Sequence, residues 1–433
     1  MNPGLVVKLR PAGPWRIGSD SGARNRVDAI YHSDSLYSAV CSAMARLGSL
    51  EDWLDATARA TAPAVCFGSC FPFLEEYLCV VPPRTVWPPA PAGISTNVRW
   101  KSARFAPLEV VRAVLAGQKL DESRWSLDGT SECLAPAGRP GPFRTSLRSS
   151  AAVDRLTGSP ERHSIACIEF RAGCGLWTVA SFLDQAARDR WQAPVKAAFR
   201  LLADSGFGGE RSRGWGRSEP PEFLEGDLPD MLLPPPPHSG AGRGTHDLGG
   251  SACLPTALPA AEHVADSVAA PSDQSPFPAS APDEIQAQAA ASAVSSVEVG
   301  SSVAVLEMEA PVETLVEFAP SEPEPETETE PAIAATVAGA PQSHWLLSLY
   351  TPAPADTVDW RRGNYSVLTR GGRVESSAGS GGLKKQLQMI AEGSVLSAAS
   401  EPRGSATDVG PDGFPHPVYR AGFAVAIPLP EIR

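Results

Sequence analysis

A chain of 433 residues, 42% of them apolar, is long enough to bury two or three cores. No apolar run approaches the eighteen or so residues of a membrane helix, and MNPGLVVKLRP at the N-terminus lacks the apolar segment of a secretory signal, so a cytoplasmic protein with no membrane partner is expected. The eight cysteines include no CxxC pair and the histidines add none at zinc spacing, which predicts buried reduced thiols and neither metal nor cofactor.

The net charge of −12 argues against a nucleic-acid partner only until it is placed along the chain. Glu222 to Gln342 holds 20 acidic residues and one basic residue, Arg243, while elsewhere 36 basic residues face 29 acidic ones, a balance of +7.

In chain order, Leu5 to Leu9 (LVVKL) predicts an opening strand closed by the Pro11 to Pro14 turn. A helix follows, with Ser33 or Asp34 as its cap, Leu36, Val40, Met44 and Leu47 as its apolar stripe, and Gly48 as its stop. Arg139, Arg144, Arg148, Arg155 and Arg162 then lie among few acids, and Arg144, Arg148 and Arg155 suit phosphate binding. Ile165 to Phe170 and Leu176 to Val179 read as two strands joined by AGCG. A helix with Pro194 in its first turn and Val195, Phe199 and Leu202 on one face comes next.

That helix runs into the most informative segment, LLADSGFGGERSRGWGR, residues 201–217. Gly206, Gly208, Gly209, Gly214 and Gly216 would let main-chain N–H groups approach an anion, and Arg211, Arg213 and Arg217 add forked donors for phosphate, with Ser212 between them. Two nucleotide loops are excluded: GxxxxGK[ST] lacks its lysine, and a GxGxxG beginning at Gly206 puts Arg211 where the third glycine belongs. A mononucleotide-binding regulatory module thus loses its support. Two readings remain, a plain glycine-rich turn and an RNA site with Trp215 stacking on a base.

Residues 221–342 are rich in Pro, Ala, Ser and Glu, with PPPP at 234–237 and SEPEPETETEP from Ser321. Such a composition buries too little apolar surface to offset its chain entropy, which predicts a disordered acidic linker. Beyond it, His344 to Tyr350 reads as a strand. Tyr365 to Thr369 and Arg373 to Ser376, joined by Arg370-Gly371-Gly372, read as a hairpin, and Tyr419 to Ile427 as a final strand. Arg370, Arg373 and the Lys384-Lys385 pair are assigned to solvated turns. The alternation of strands and helices predicts an α+β fold with folded units at 1–220 and 343–433.

Several segments together resemble one family: HSDSLYSAV (32–40), VDRLTGSPER (153–162), DSGFGGERSRGWGR (204–217), YSVLTRGGRVESS (365–377), EGSVL (392–396) and HPVYRAGFAVAIP (416–428). They are similar to the RAMP superfamily of CRISPR-associated proteins and, within it, to the Csm subunit-four family of type III-A effectors. The resemblance spans about 1–220 and 343–433. It implies two ferredoxin-like (RRM-like) domains, the second degenerate, with a hairpin insertion as a thumb. It also implies a non-catalytic role, holding the repeat-derived 5′ handle of the crRNA between the large polymerase-like subunit and a backbone RAMP subunit. The acidic insertion departs from the family pattern.

Some relatives in that superfamily cut precursor RNA with a histidine, so the enzyme alternative is a metal-independent endonuclease using His32. No carboxylate is obviously placed to orient that ring. His32 and Ser33 are also candidates for RNA contact near the exposed N–H groups of a helix start. Asp184, Asp189 and Asp204 read as helix caps, and the folded parts hold neither GGDD nor HD, which leaves polymerase, cyclase and HD-nuclease activities unsupported.

Overall fold

The computed structural model describes residues 2–18, 23–90, 98–153, 155, 159–234, 341–376 and 379–430. Residues 1–238 and 334–433 form one compact unit. Residues 235–340, on which most of the expected disordered acidic linker falls, lie outside the described residues.

The opening strand, β1 (Asn2–Leu9), is buried along nearly its whole length, as LVVKL requires. In α1 (Ser33–Arg46), Leu36, Val40 and Met44 sink into the core at helical spacing, whereas Leu47 lies past the last turn and is 43% exposed. The helix is entered at His32, so Ser33 and Asp34 lie inside the first turn and not at the cap position. Next come α2 (Leu50–Ala56), β2 (Val65–Phe67), β3 (Phe71–Leu74) and β4 (Tyr77–Val80). They are followed by β5 (Ala106–Pro107), α3 (Leu108–Leu115), β6 (Trp125–Asp128) and β7 (Cys133–Pro136).

A hairpin of two eleven-residue strands, β8 (Phe143–Val153) and β9 (Pro160–Phe170), precedes β10 (Cys174–Phe182). The two strands read around AGCG both form, yet they do not pair with each other. Almost every residue of β10 is buried, which places it mid-sheet between β1 and β3, while β9 pairs along its whole length with β8. α4 (Gln185–Ser205) is capped by Asp184, whose carboxylate accepts the Ala187 N–H at 2.7 Å. It therefore starts well before Pro194, which lies inside the helix and not in its first turn. Val195, Phe199 and Leu202 do form its buried face, and α4 packs on α1 and β1.

The N-terminal region closes with β11 (Glu222–Leu228), an edge strand on β1. The main sheet runs β11-β1-β10-β3-β4-β5, all antiparallel, with β2 also on β10. This corrects the linker boundary, because the described fold continues through residue 234. The acids that made the strand look like linker are neutralised locally: Glu225 accepts from Arg188, Gln192 and Lys196 of α4 at 2.5–2.7 Å.

After residue 340 the described chain contains strands and no helix. They are β12 (Gln342–Leu346), β13 (Val358–Asn364), β14 (Val367–Arg370), β15 (Arg373–Ser376), β16 (Gly379–Leu383) and β17 (Leu387–Ile390), then β18 (Val395–Ala398), β19 (Gly404–Asp408), β20 (Tyr419–Phe423) and β21 (Ala426–Pro428). β13-β18-β12-β21 is an antiparallel sheet; β14 pairs with β17, β15 with β16 and β19 with β20. The expected hairpin across Arg370-Gly371-Gly372 is absent, since Arg370 is drawn into the interior by Asp34 and the chain turns there toward a different partner. The expected final strand divides at Ala424–Val425, where the Val425 N–H donates to Ser348 Oγ at 2.9 Å and the ladder changes from β19 to β12.

One apolar core runs through both regions. Tyr37 meets Phe423 edge-on at 5.4 Å between ring centres, and Trp345, Leu347, Val395 and Val425 join Trp53, Phe67 and Phe199 in the same cluster. The described cysteines are all free thiols, and burial pushes the Cys66 thiol up to about 12. No helix among the described residues is long and apolar enough to cross a membrane.

Candidate nucleic-acid interface

A polar cleft of about 270 Å³ opens where α1, the glycine-rich turn and the C-terminal strands meet. From α1 come Asp34 and the hydroxyls of Ser35, Ser38 and Ser42; from the turn, Gly208 and Arg211; from the C-terminal strands and turns, Arg370, Lys384 and Arg420. Asp34 is the one acid among these described lining residues, so the cleft is net positive.

Asp34 forms the floor. It is buried in the first turn of α1, where its carboxylate accepts Nε and Nη2 of Arg370, both at 3.1 Å, and Nη1 of Arg420. Burial by itself would raise the Asp34 pKa, but the two guanidinium groups outweigh it and hold the carboxyl at about 2. Arg370 Nη2 also donates to Ser35 Oγ at 3.1 Å, and Arg420 Nη2 to the Gly371 carbonyl at 2.8 Å. Two cations are thereby fixed around one anion, a preorganised positive surface whose direction is set by packing.

His32 lies behind this floor, 4% exposed. Its Nδ1 is 2.7 Å from Glu392 Oε1 and its Nε2 is 3.3 Å from Asp28 Oδ2. Glu392 also accepts the Ser69 hydroxyl, and Asp28 accepts Arg104 Nη2 at 2.9 Å. Burial opposes charge on the ring, yet the Glu392 carboxylate and the hydrogen bond to Asp28 prevail and raise the His32 pKa to about 10. The ring is a buried imidazolium flanked by two carboxylates, which corrects the expectation that none would orient it. Glu392 was invisible to sequence reasoning because it lies 360 positions away. Ser33 is equally enclosed: its N–H donates to Ser69 Oγ at 2.8 Å and its Oγ accepts the Leu349 N–H at 3.0 Å. Both residues join distant segments, and the expectation that they offer RNA contacts is withdrawn.

The glycine-rich turn also works differently from its sequence reading. The N–H groups of Gly206, Phe207, Gly209, Gly214 and Gly216 donate to the carbonyls of Leu202, Gly216, Arg16, Arg211 and Pro14, at 2.8–3.2 Å. Those donors are spent inside the protein rather than kept for an anion. At Gly216, with φ at 78°, a Cβ would stand 2.1 Å from the Phe207 carbonyl oxygen, so glycine here lets the turn close on itself. What the turn presents is side chains. Arg211, Ser212 and Arg213 occupy an exposed single turn of 3₁₀ helix, and Arg211 reaches the cleft, whereas Arg213 pairs with Glu210 at 3.1 Å. Arg217 is exposed away from the lining, and Trp215 is half-buried.

Arg144 and Arg148 are exposed on β8, where both bind Glu169 of β9, Arg144 through Nη2 at 2.9 Å. Arg155 is exposed near the far end of the same hairpin. None of the three lines the cleft. Arg370 and Lys384, read as solvated, do line it, as does Arg420. The available signal for Arg420 was a charged residue inside an apolar strand, YRAGFAVAI, which only a buried partner makes tolerable.

Residues 340–429 match the CRISPR Csm4 C-terminal domain. That match covers the C-terminal segment of the chain, the part that holds Arg370, Lys384 and Arg420. Over 98% of its length it is similar to a chain of the Csm3-Csm4 subcomplex in the type III-A CRISPR-Cas interference complex, covering 99% of that chain at 12% identity and a TM-score of 0.50, which shows a shared fold. It is also similar to a chain of the Csm1-Csm4 cassette in complex with cA4, with 100% and 99% of the two chains covered, 14% identity and a TM-score of 0.45. No curated protein sequence matches it.

Proposed function

We propose that this chain is a Csm4-family protein, a non-catalytic RNA-binding subunit of a type III-A CRISPR ribonucleoprotein that holds the 5′ handle of the crRNA and bridges the large polymerase-like subunit to the backbone RAMP subunit. The cleft carries this reading: Arg211, Arg370, Lys384 and Arg420 line it together with Ser35, Ser38, Ser42 and a single carboxylate, a net positive polar lining suited to phosphate and ribose. The fold shared with a chain of the Csm3-Csm4 subcomplex supports the backbone partner.

A ferredoxin-like reading of the N-terminal region suits the element order. β1, α1, β3, β10, α4 and β11 follow a βαββαβ course, with the four strands in the spatial order β11-β1-β10-β3. The helix-free C-terminal strands suit a degenerate second copy. A non-catalytic role suits the state of His32, because a general base needs a neutral, reachable nitrogen and both of its ring nitrogens are bound to carboxylates.

Ribonuclease footprinting of guide RNA in the reconstituted complex tests the reading. The intact complex should protect the handle, and Arg211→Ala with Lys384→Ala should expose it while the rest of the guide stays protected. Equal protection in both complexes would remove the cleft from the handle. Specific cutting of repeat RNA by the purified chain in EDTA would overturn the non-catalytic role.

A further inference from the structure

We infer that Trp360 and Tyr365, with Arg84, Arg361 and Arg362, form a second platform for single-stranded RNA, separate from the cleft, that takes an unpaired base on the aromatic pair and phosphates on the arginines. Trp360 alone among the described tryptophans is exposed, at 37%, and Tyr365 beside it is 38% exposed. Their rings meet edge to face with centres 5.3 Å apart. An aromatic pair left more than a third exposed forgoes part of the burial that stabilises aromatic pairs such as Trp53 and Trp191, and an exposed aromatic surface is one on which a base stacks.

The backbone explains how the pair is presented. β13 is the outer strand of its sheet, paired only with β18 among the described strands, and its register slips between Asp359 and Asn364. Such an irregularity lifts the intervening residues off the ladder and re-aims their side chains. Asp359 accepts the Arg361 N–H at 3.1 Å, and its other oxygen lies 3.6 Å from Arg362 Nε, a loose and solvated pair. Asn364 Nδ2 donates to the Arg84 carbonyl at 3.3 Å, which brings exposed Arg84 alongside. Three arginines against one aspartate favour a polyanion over an apolar protein surface.

The platform is within reach of RNA held in the cleft. From Tyr365 the chain runs directly through β14 to Arg370, five residues that span at most about 17 Å when extended. The inference rests on the RNA reading of the cleft, and the experiment separates the two.

Full-length protein is crosslinked to a twelve-nucleotide single-stranded RNA carrying 5-iodouridine at successive positions, and the adducts are mapped by mass spectrometry. Crosslinks at Trp360 or Tyr365 are expected. Trp360→Ala with Tyr365→Ala should weaken binding about tenfold with an unchanged melting temperature, and Trp360→Phe should restore most of it. Arg361→Ala with Arg362→Ala should flatten the salt dependence by about 1.4. Unchanged affinity with crosslinks confined to the cleft would overturn the platform and leave the cleft reading standing. Absence of RNA binding by the wild type would overturn both. Unchanged RNA binding with loss of a copurifying protein from the platform variants would overturn the inference in favour of a protein-docking surface.

Discussion

Asp34 and Arg370 stand 336 positions apart and close a two-toothed ion pair, Nε to Oδ2 and Nη2 to Oδ1, both at 3.1 Å. The pair ties the first turn of α1 to the end of β14, so the same contact that shapes the cleft also joins the N-terminal and C-terminal segments. Arg420 completes it from β20.

Removing the carboxylate leaves two buried guanidinium groups without their anion. Asp34→Ala should therefore lower stability by about 3–5 kcal/mol, the usual penalty for breaking a buried pair from one side. A denaturant titration checks this, and a loss below about 1 kcal/mol would show that the arginines find other partners.

The His32 network sets a pH dependence whose sign follows from its direction. The folded His32 pKa of about 10 lies above the ordinary value of 6.5, so its contribution is complete below about pH 6.5 and declines as pH rises toward 10. Asp28, Asp34 and Glu392 are held below the ordinary carboxylate range, so theirs is complete above about pH 4.5 and is lost in acid. Unfolding midpoints should fall from about pH 6.5 to about pH 7.5, a range below the ordinary thiol pKa of about 8.5. In His32→Gln that slope should flatten. A wild-type midpoint that rises over this interval would contradict a charged, buried His32.

The boundary of the folded chain gives a third test. Replacing residues 235–340 with a Gly/Ser linker should leave melting and complex assembly unchanged. Extending the deletion back to Glu222 removes β11 from β1 and breaks the Glu225 contacts with α4, which should lower the melting temperature markedly. Equal melting of the two deletions would mean that β11 adds nothing to the sheet.

Local pattern revealed the elements whose burial follows a simple period. The Leu36, Val40, Met44 stripe and the LVVKL strand were legible because core packing and sequence spacing agree there. β11 was misread because acids suggest solvent, and only the placement of α4 shows that Lys196 and Arg188 neutralise Glu225. Arg370 looked like a turn residue for the same reason, its partner being 336 positions away. In the glycine-rich turn the composition correctly marked a special backbone, but not whether its N–H groups face a ligand or the protein, since that depends on the Pro14 and Arg16 carbonyls.

Guide-RNA affinity measured against salt concentration tests the cleft most directly. Each phosphate contact on a single strand contributes about 0.7 to the slope of log affinity against log salt, so Arg211→Ala with Lys384→Ala should flatten the slope by about 1.4 and weaken binding. Arg213→Ala with Arg217→Ala, outside the cleft lining, should change it less. A slope unaltered by the Arg211 and Lys384 substitutions, in protein with wild-type melting, would place the RNA elsewhere and contradict the assignment.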